Sequence, residues 1–103
     1  MKKVRLNQFD LQAIIETFES IFEPGDHLWL FGSRVDVTRK GGDIDLFIES
    51  TLSSEDLYKK KIDFLVALIK KIGDQKIDIV TYHFGAPTLP IDEEARKTGI
   101  RLK

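Results

Sequence analysis

The sequence predicts an α+β domain, a small mixed β-sheet with helices packed on one face. Three observations predict it. Residues 7–23 and 53–72 carry apolar side chains at helical spacing. Residues 27–31, 43–49 and 77–82 are short runs rich in Ile, Leu, Val and Phe, of strand length. Gly, Pro or small polar residues punctuate the joins between them.

The chain has 103 residues, which suits one domain spanning 1–103. It is 42% hydrophobic and 32% charged, the balance of a globular, soluble domain. Net charge is −1, so no global field draws it to nucleic acid or to an anionic membrane. No cysteine is present, which excludes disulfides and thiol chemistry. No apolar run approaches the roughly 20 residues that span a bilayer. Met1-Lys2-Lys3-Val4-Arg5 lacks the apolar stretch of a signal peptide, so a cytoplasmic location is expected.

In the first helix Asn7 is placed to cap and Asp10 sits in the first turn, where negative charge is favoured. Leu11, Ile14, Ile15, Phe18, Ile21 and Phe22 form its apolar stripe, and Pro24-Gly25 ends it. His27 to Phe31 is the first strand. Trp29 is expected in the core or at the domain edge, and His27 at the surface.

The stretch from Leu28 to Glu49 organises the rest. Its first apolar run stops at Gly32-Ser33, and Asp43-Ile44-Asp45 opens the second. Residues i and i+2 of a strand share a face, so Asp43 and Asp45 project together while Ile44, Leu46 and Ile48 point into a core. Phe47 shares the acids' face, which must therefore become covered further along. Adjacent carboxylates raise each other's pKa. A divalent cation relieves that penalty, and hard oxygen ligands suit Mg²⁺. Gly32 lets backbone approach a phosphate, Ser33 opening a helical turn offers free N–H groups, and Arg34 can pair with phosphate oxygens. Arg39 and Lys40 are expected either to be plain solvated loop residues or to reach a triphosphate or an acceptor. Asp36 reads as a surface residue, and Gly41-Gly42 permits a sharp turn.

Ser53 and Asp56 mark the start of the second helix and Gly73 its stop. Tyr58, Ile62, Leu65, Ile69 and Ile72 are expected to form its buried stripe, widened by Leu57, Phe64 and Leu68. Its lysines, 59–61 and 70–71, form a wet face. In the third strand Asp78, Val80 and Tyr82 face opposite to Ile77, Ile79 and Thr81. An acid within an apolar strand is costly unless compensated, which favours a metal role for Asp78. Residues 84–90 form a loop, with His83 before it in a structural or surface role. Residues 91–98 form a short helix, and Ile100 to Lys103 is a tail that packs back.

A lone Gly-Ser is usually a turn and a lone Asp-x-Asp is usually solvated. Gly32-Ser33, nine intervening residues, then Asp43-Ile44-Asp45, with Asp78 on a later strand, is a more specific pattern. It resembles the DNA polymerase beta-like nucleotidyltransferase superfamily, and its short length resembles the minimal nucleotidyltransferase branch. The resemblance implies that fold, with the active site on the sheet face opposite the helices. It implies transfer of a nucleoside monophosphate, AMP foremost, from a nucleoside triphosphate such as ATP to a hydroxyl. Asp43, Asp45 and Asp78 would be the catalytic acids and the ligands of two Mg²⁺ ions; Gly32, Ser33 and Arg34 would bind the nucleotide.

The short chain leaves no acceptor-gripping domain, so the acceptor surface is expected from a dimer mate or another protein. The same resemblance points to a HEPN-type toxin, with this chain as its antitoxin. Two alternatives stand beside it. One is a non-catalytic module that binds nucleotide or partner. The other is a nucleotidyltransferase acting on a small molecule or an RNA end, the latter disfavoured by the mild charge.

Overall fold

The computed structural model describes residues 4–35 and 42–103. Asp36, Arg39, Lys40 and Gly41, singled out above, lie outside the described residues. The chain runs α1 (Gln8–Ile21), β1 (His27–Phe31), a 3₁₀ turn (Gly32–Val35), β2 (Ile44–Ser50), α2 (Ser54–Ile72), β3 (Ile77–His83), α3 (Pro90–Thr98) and β4 (Ile100–Arg101).

The four strands form one mixed sheet in the order β3-β2-β1-β4. β1 pairs antiparallel with β2 and with β4, so the tail does pack back, as an edge strand. β2 and β3 pair in parallel, and α2 supplies the crossover that parallel pairing needs.

Alternation along the strands sorts the core into two layers. Leu28, Leu30, Ile44, Leu46, Ile48 and Ile79 turn to one face, where Ile14 and Phe18 of α1 meet Leu57, Phe64 and Leu68 of α2. Phe18 stacks on Phe22 with centroids 4.8 Å apart, and both meet the Phe64 ring edge-on. Asn7 caps α1 by accepting from the Asp10 N–H at 2.7 Å, and Ser53 caps α2 by accepting from the Asp56 N–H at 3.2 Å.

Three expectations change here. α1 and α2 cover one face as anticipated, but α3 lies on the other, packing Ala95 against Phe31 and Phe47. It is the cover that Phe47 requires. In α2 the buried line is Leu57, Phe64 and Leu68; Tyr58 and Ile62 of the expected stripe are 62% and 43% exposed. The Phe18–Phe22–Phe64 contact sets the rotation of α2, turning Leu57, Phe64 and Leu68 inward, with Leu65 and Ile72 partly buried against the core and Tyr58 and Ile62 left outside. His27 is half-buried rather than at the surface, because Glu49 lies beside it.

Candidate active site

The parallel register of β2 and β3 places Asp45 directly across from Asp78. Both lie on the sheet face that α1 and α2 leave open, and Asp43 precedes β2 by one residue on the same parity. The electrostatics agree with this placement. The Asp45 carboxyl is pushed above the ordinary carboxylate value of 3.8, first by burial, then by the charges of Asp78 and Asp43; Lys76 opposes them. Asp78 is exposed and Asp43 half-exposed, so the cluster opens to solvent.

The bend after β1 faces these acids. Gly32 has φ +74°, a left-handed conformation that side chains resist. A methyl group built on Gly32 would strike the Asp45 carboxyl. Glycine is thus required twice, for the backbone and for the approach of Asp45. Gly42, with φ +91°, is required in the same way, since a methyl there would strike the Ser33 hydroxyl.

Ser33 is buried, with its Oγ 3.5 Å from the Asp43 carbonyl, so it braces the two limbs of the loop against each other. Arg34 donates from Nη1 to the Arg5 carbonyl at 2.7 Å. Its guanidinium is therefore turned to the N-terminal segment.

Two residues that sequence reasoning passed over belong to this region. Arg5 returns the contact from Arg34, donating to the Ser33 carbonyl from Nη2 at 2.9 Å and Nε at 3.3 Å. Nothing in the sequence ties residue 5 to residue 33. Lys76 lies with its Nζ 3.4 Å from Asp43 Oδ2. Its signal was available, since it precedes Asp78 by two residues and so shares the face of the acids.

The same face holds a fourth acid. Glu49 is buried, and accepts from Arg96 Nε at 2.8 Å and from the Trp29 indole N–H at 2.8 Å. His27 Nδ1 lies 3.1 Å from Oε1, the oxygen that Trp29 also contacts, while Arg96 bonds Oε2. Burial alone would raise its pKa, but the hydrogen bonds from Arg96, Trp29 and His27 outweigh it and hold the carboxyl below the usual range. Arg96 also lies over the rings of Tyr82 and Phe47, 4.6 and 5.4 Å from their centroids. This assembly pins α3 to the sheet. The argument applied to Asp78 applies equally to Glu49, an acid inside an apolar strand, and the sequence reading did not extend it there.

The sequence model of the nucleotidyltransferase domain matches residues 11–98. The chain belongs to this family. The match runs from α1 to the last residue of α3 and includes Asp43, Asp45 and Asp78, the Gly32 bend and the Glu49 assembly. The fold is that of the polymerase beta-like nucleotidyltransferases. Membership brings nucleotidyl transfer as the general chemistry and a nucleotide as the substrate. No curated protein sequence matches the chain. Among the described residues no helix is long and apolar enough to cross a membrane.

The donor set at the acids suits a hard divalent cation. Among the described residues, no three His, Cys, Asp or Glu side chains form a ready-made metal cage. Mg²⁺ does not need one: it takes one or two carboxylates and completes its shell with water and substrate phosphates. The raised pKa of Asp45 marks negative charge that the protein's own residues leave under-compensated.

Proposed function

We propose that this chain transfers a nucleoside monophosphate, AMP foremost, from a nucleoside triphosphate to an acceptor hydroxyl. The acceptor oxygen forms a bond to the α-phosphorus, the bond from that phosphorus to the bridging oxygen breaks, and pyrophosphate leaves with the electron pair. One observation carries the reading. Asp45 lies across from Asp78 and against Gly32, so the carboxylates and the glycine bend converge on one open patch.

In this reading Asp43, Asp45 and Asp78 would be the residues that hold Mg²⁺. When bound, Mg²⁺ lowers the pKa of the attacking hydroxyl and neutralises charge on the leaving phosphates. Asp78, the most exposed of the three, would also receive the hydroxyl proton in this reading. Gly32 and the backbone N–H groups of the 3₁₀ turn cradle the β- and γ-phosphates. Ser33 shapes that cradle from beneath. A part for Arg34 requires its guanidinium to leave the Arg5 carbonyl when nucleotide binds. On the minimal-nucleotidyltransferase resemblance, the acceptor is a HEPN-type toxin in the cytoplasm, which this chain neutralises as antitoxin.

The test is pyrophosphate release and label transfer from each nucleoside triphosphate with Mg²⁺, with and without the protein encoded beside it. Transfer by wild type and none by Asp43→Asn or Asp78→Asn is expected. Wild-type turnover in either variant would falsify the assignment. Absence of transfer with nucleotide still bound would favour the binding-module alternative. Co-purification with a helical partner, and its modification on a hydroxyl side chain, tests the antitoxin role.

A further inference from the structure

One face of α2 is apolar and, among the described residues, uncovered. Tyr58, Ile62 and Val66 are 62%, 43% and 48% exposed. Spaced four apart, they form a line along the helix, and half-buried Ile69 continues it. The core draws on a different line of the same helix, Leu57, Phe64 and Leu68. A continuous apolar strip rimmed by charges marks an interaction surface rather than a scattering of exposed side chains.

The rim identifies the occupant. Beside the strip run Glu55, Lys59, Asp63 and Lys70, all exposed, with charges alternating minus, plus, minus, plus. Read in the reverse direction, the row alternates plus, minus, plus, minus. A second α2 laid antiparallel, with Ile62 of each copy on the two-fold axis, therefore brings each of these charges within about two residues, roughly 3 Å, of an opposite one. Tyr58 faces Val66 of the second copy, Glu55 faces Lys70, and Lys59 faces Asp63. The helix ends agree. α2 carries Glu55 and Asp56 in its first turn and Lys70 and Lys71 in its last. Antiparallel pairing sets each acidic start beside a basic end and aligns the helix dipoles favourably. Such self-complementarity is the property of an isologous interface.

We propose that this face of α2 is a homodimer interface, on which a second copy of the chain docks antiparallel about Ile62. α2 lies on the sheet face opposite Asp45 and Asp78, so both candidate active sites stay open in the dimer. A single helix face is smaller than a standard interface of about 800 Å² per partner, so dissociation is expected on the order of 10–100 μM.

Sedimentation velocity across roughly 1 μM to 1 mM tests it. Wild type is expected to pass from monomer to dimer within that range. Ile62→Arg places two like charges on the axis and is expected to stay monomeric throughout. Lys70→Glu sets two acids together and should weaken the dimer at least about tenfold, an energy near 1.4 kcal/mol. The double variant Glu55→Lys/Lys70→Glu restores opposite charges and should recover most of the affinity. Circular dichroism melts confirm that each variant folds, since all three positions are on the surface. A wild type that is monomeric at every concentration overturns the proposal. So does dimerisation of Ile62→Arg at wild-type strength, or a double variant no tighter than Lys70→Glu. Docking of a different helical protein on a chain that does not self-associate overturns it as well.

Discussion

Asp45 and Glu49 occupy the same strand and the same sheet face, yet the protein treats them in opposite ways. Glu49 is sealed under α3 and receives donors from three side chains. Asp45 sits among two further acids and a glycine bend, with Lys76 the cation that opposes their effect on it. One carboxyl is held below its ordinary pKa and the other is pushed above it. The contrast separates two uses of a costly residue. An acid whose partners are all supplied by the fold is a structural clamp. An acid whose neighbours repel it is kept for something that arrives from outside.

The contrast can be broken most sharply at Asp45 itself. Asp45→Asn is expected to abolish nucleotidyl transfer while raising the melting temperature of the cation-free protein at neutral pH. Differential scanning calorimetry beside a transfer assay reads both. A melting temperature that falls would mean that Asp45 is stabilising and that the comparison is mistaken. Gly32→Ala should come next, with a transfer rate about 100-fold lower because the Asp45 carboxyl is displaced. Its left-handed backbone adds roughly 1–2 kcal/mol of destabilisation. At the other acid the signs reverse. Glu49→Gln leaves half-buried Arg96 without a counter-charge, a loss of roughly 2 kcal/mol in urea unfolding, with transfer by the folded fraction retained.

The pH dependence sharpens the same comparison. Asp45 holds its proton more tightly in the fold than in the unfolded chain, so its stability contribution declines as pH rises from about 4 through its raised value. Glu49 holds its proton less tightly in the fold. Its contribution is complete above its ordinary value of 4.5 and is lost as pH falls through the lowered one. Asp45→Asn should flatten the first slope, and Glu49→Gln the second, in unfolding curves taken across that range. The smallest effect is expected at Lys76. Its pair with Asp43 is well exposed, so Lys76→Met should change stability by less than about 1 kcal/mol. Weaker opposition to Asp45's upward shift should show as a later titration of that carboxyl by NMR.

Much of this was legible in the sequence because local rules agree with the fold. Gly73 ends α2, Asn7 and Ser53 cap their helices, and alternation assigns Asp45 and Asp78 to one face. What escaped depends on choices between elements. Two apolar lines run along α2, and only packing against Phe18 and Phe22 decides which one turns inward. The mutual grip of Arg5 and Arg34 joins segments that no periodicity connects. Glu49 was within reach of the reasoning, but its partners come from β1 and α3, and only their arrival turns a liability into a clamp.

The parallel pairing of β2 with β3 has a consequence for how the site comes into being. Asp45 and Asp78 meet only after the whole of α2 has wound and laid the third strand in register. No fragment that stops short of β3 holds both. On the proposed function, a divalent cation that needs both acids would bind the folded chain alone and so would stabilise the finished crossover.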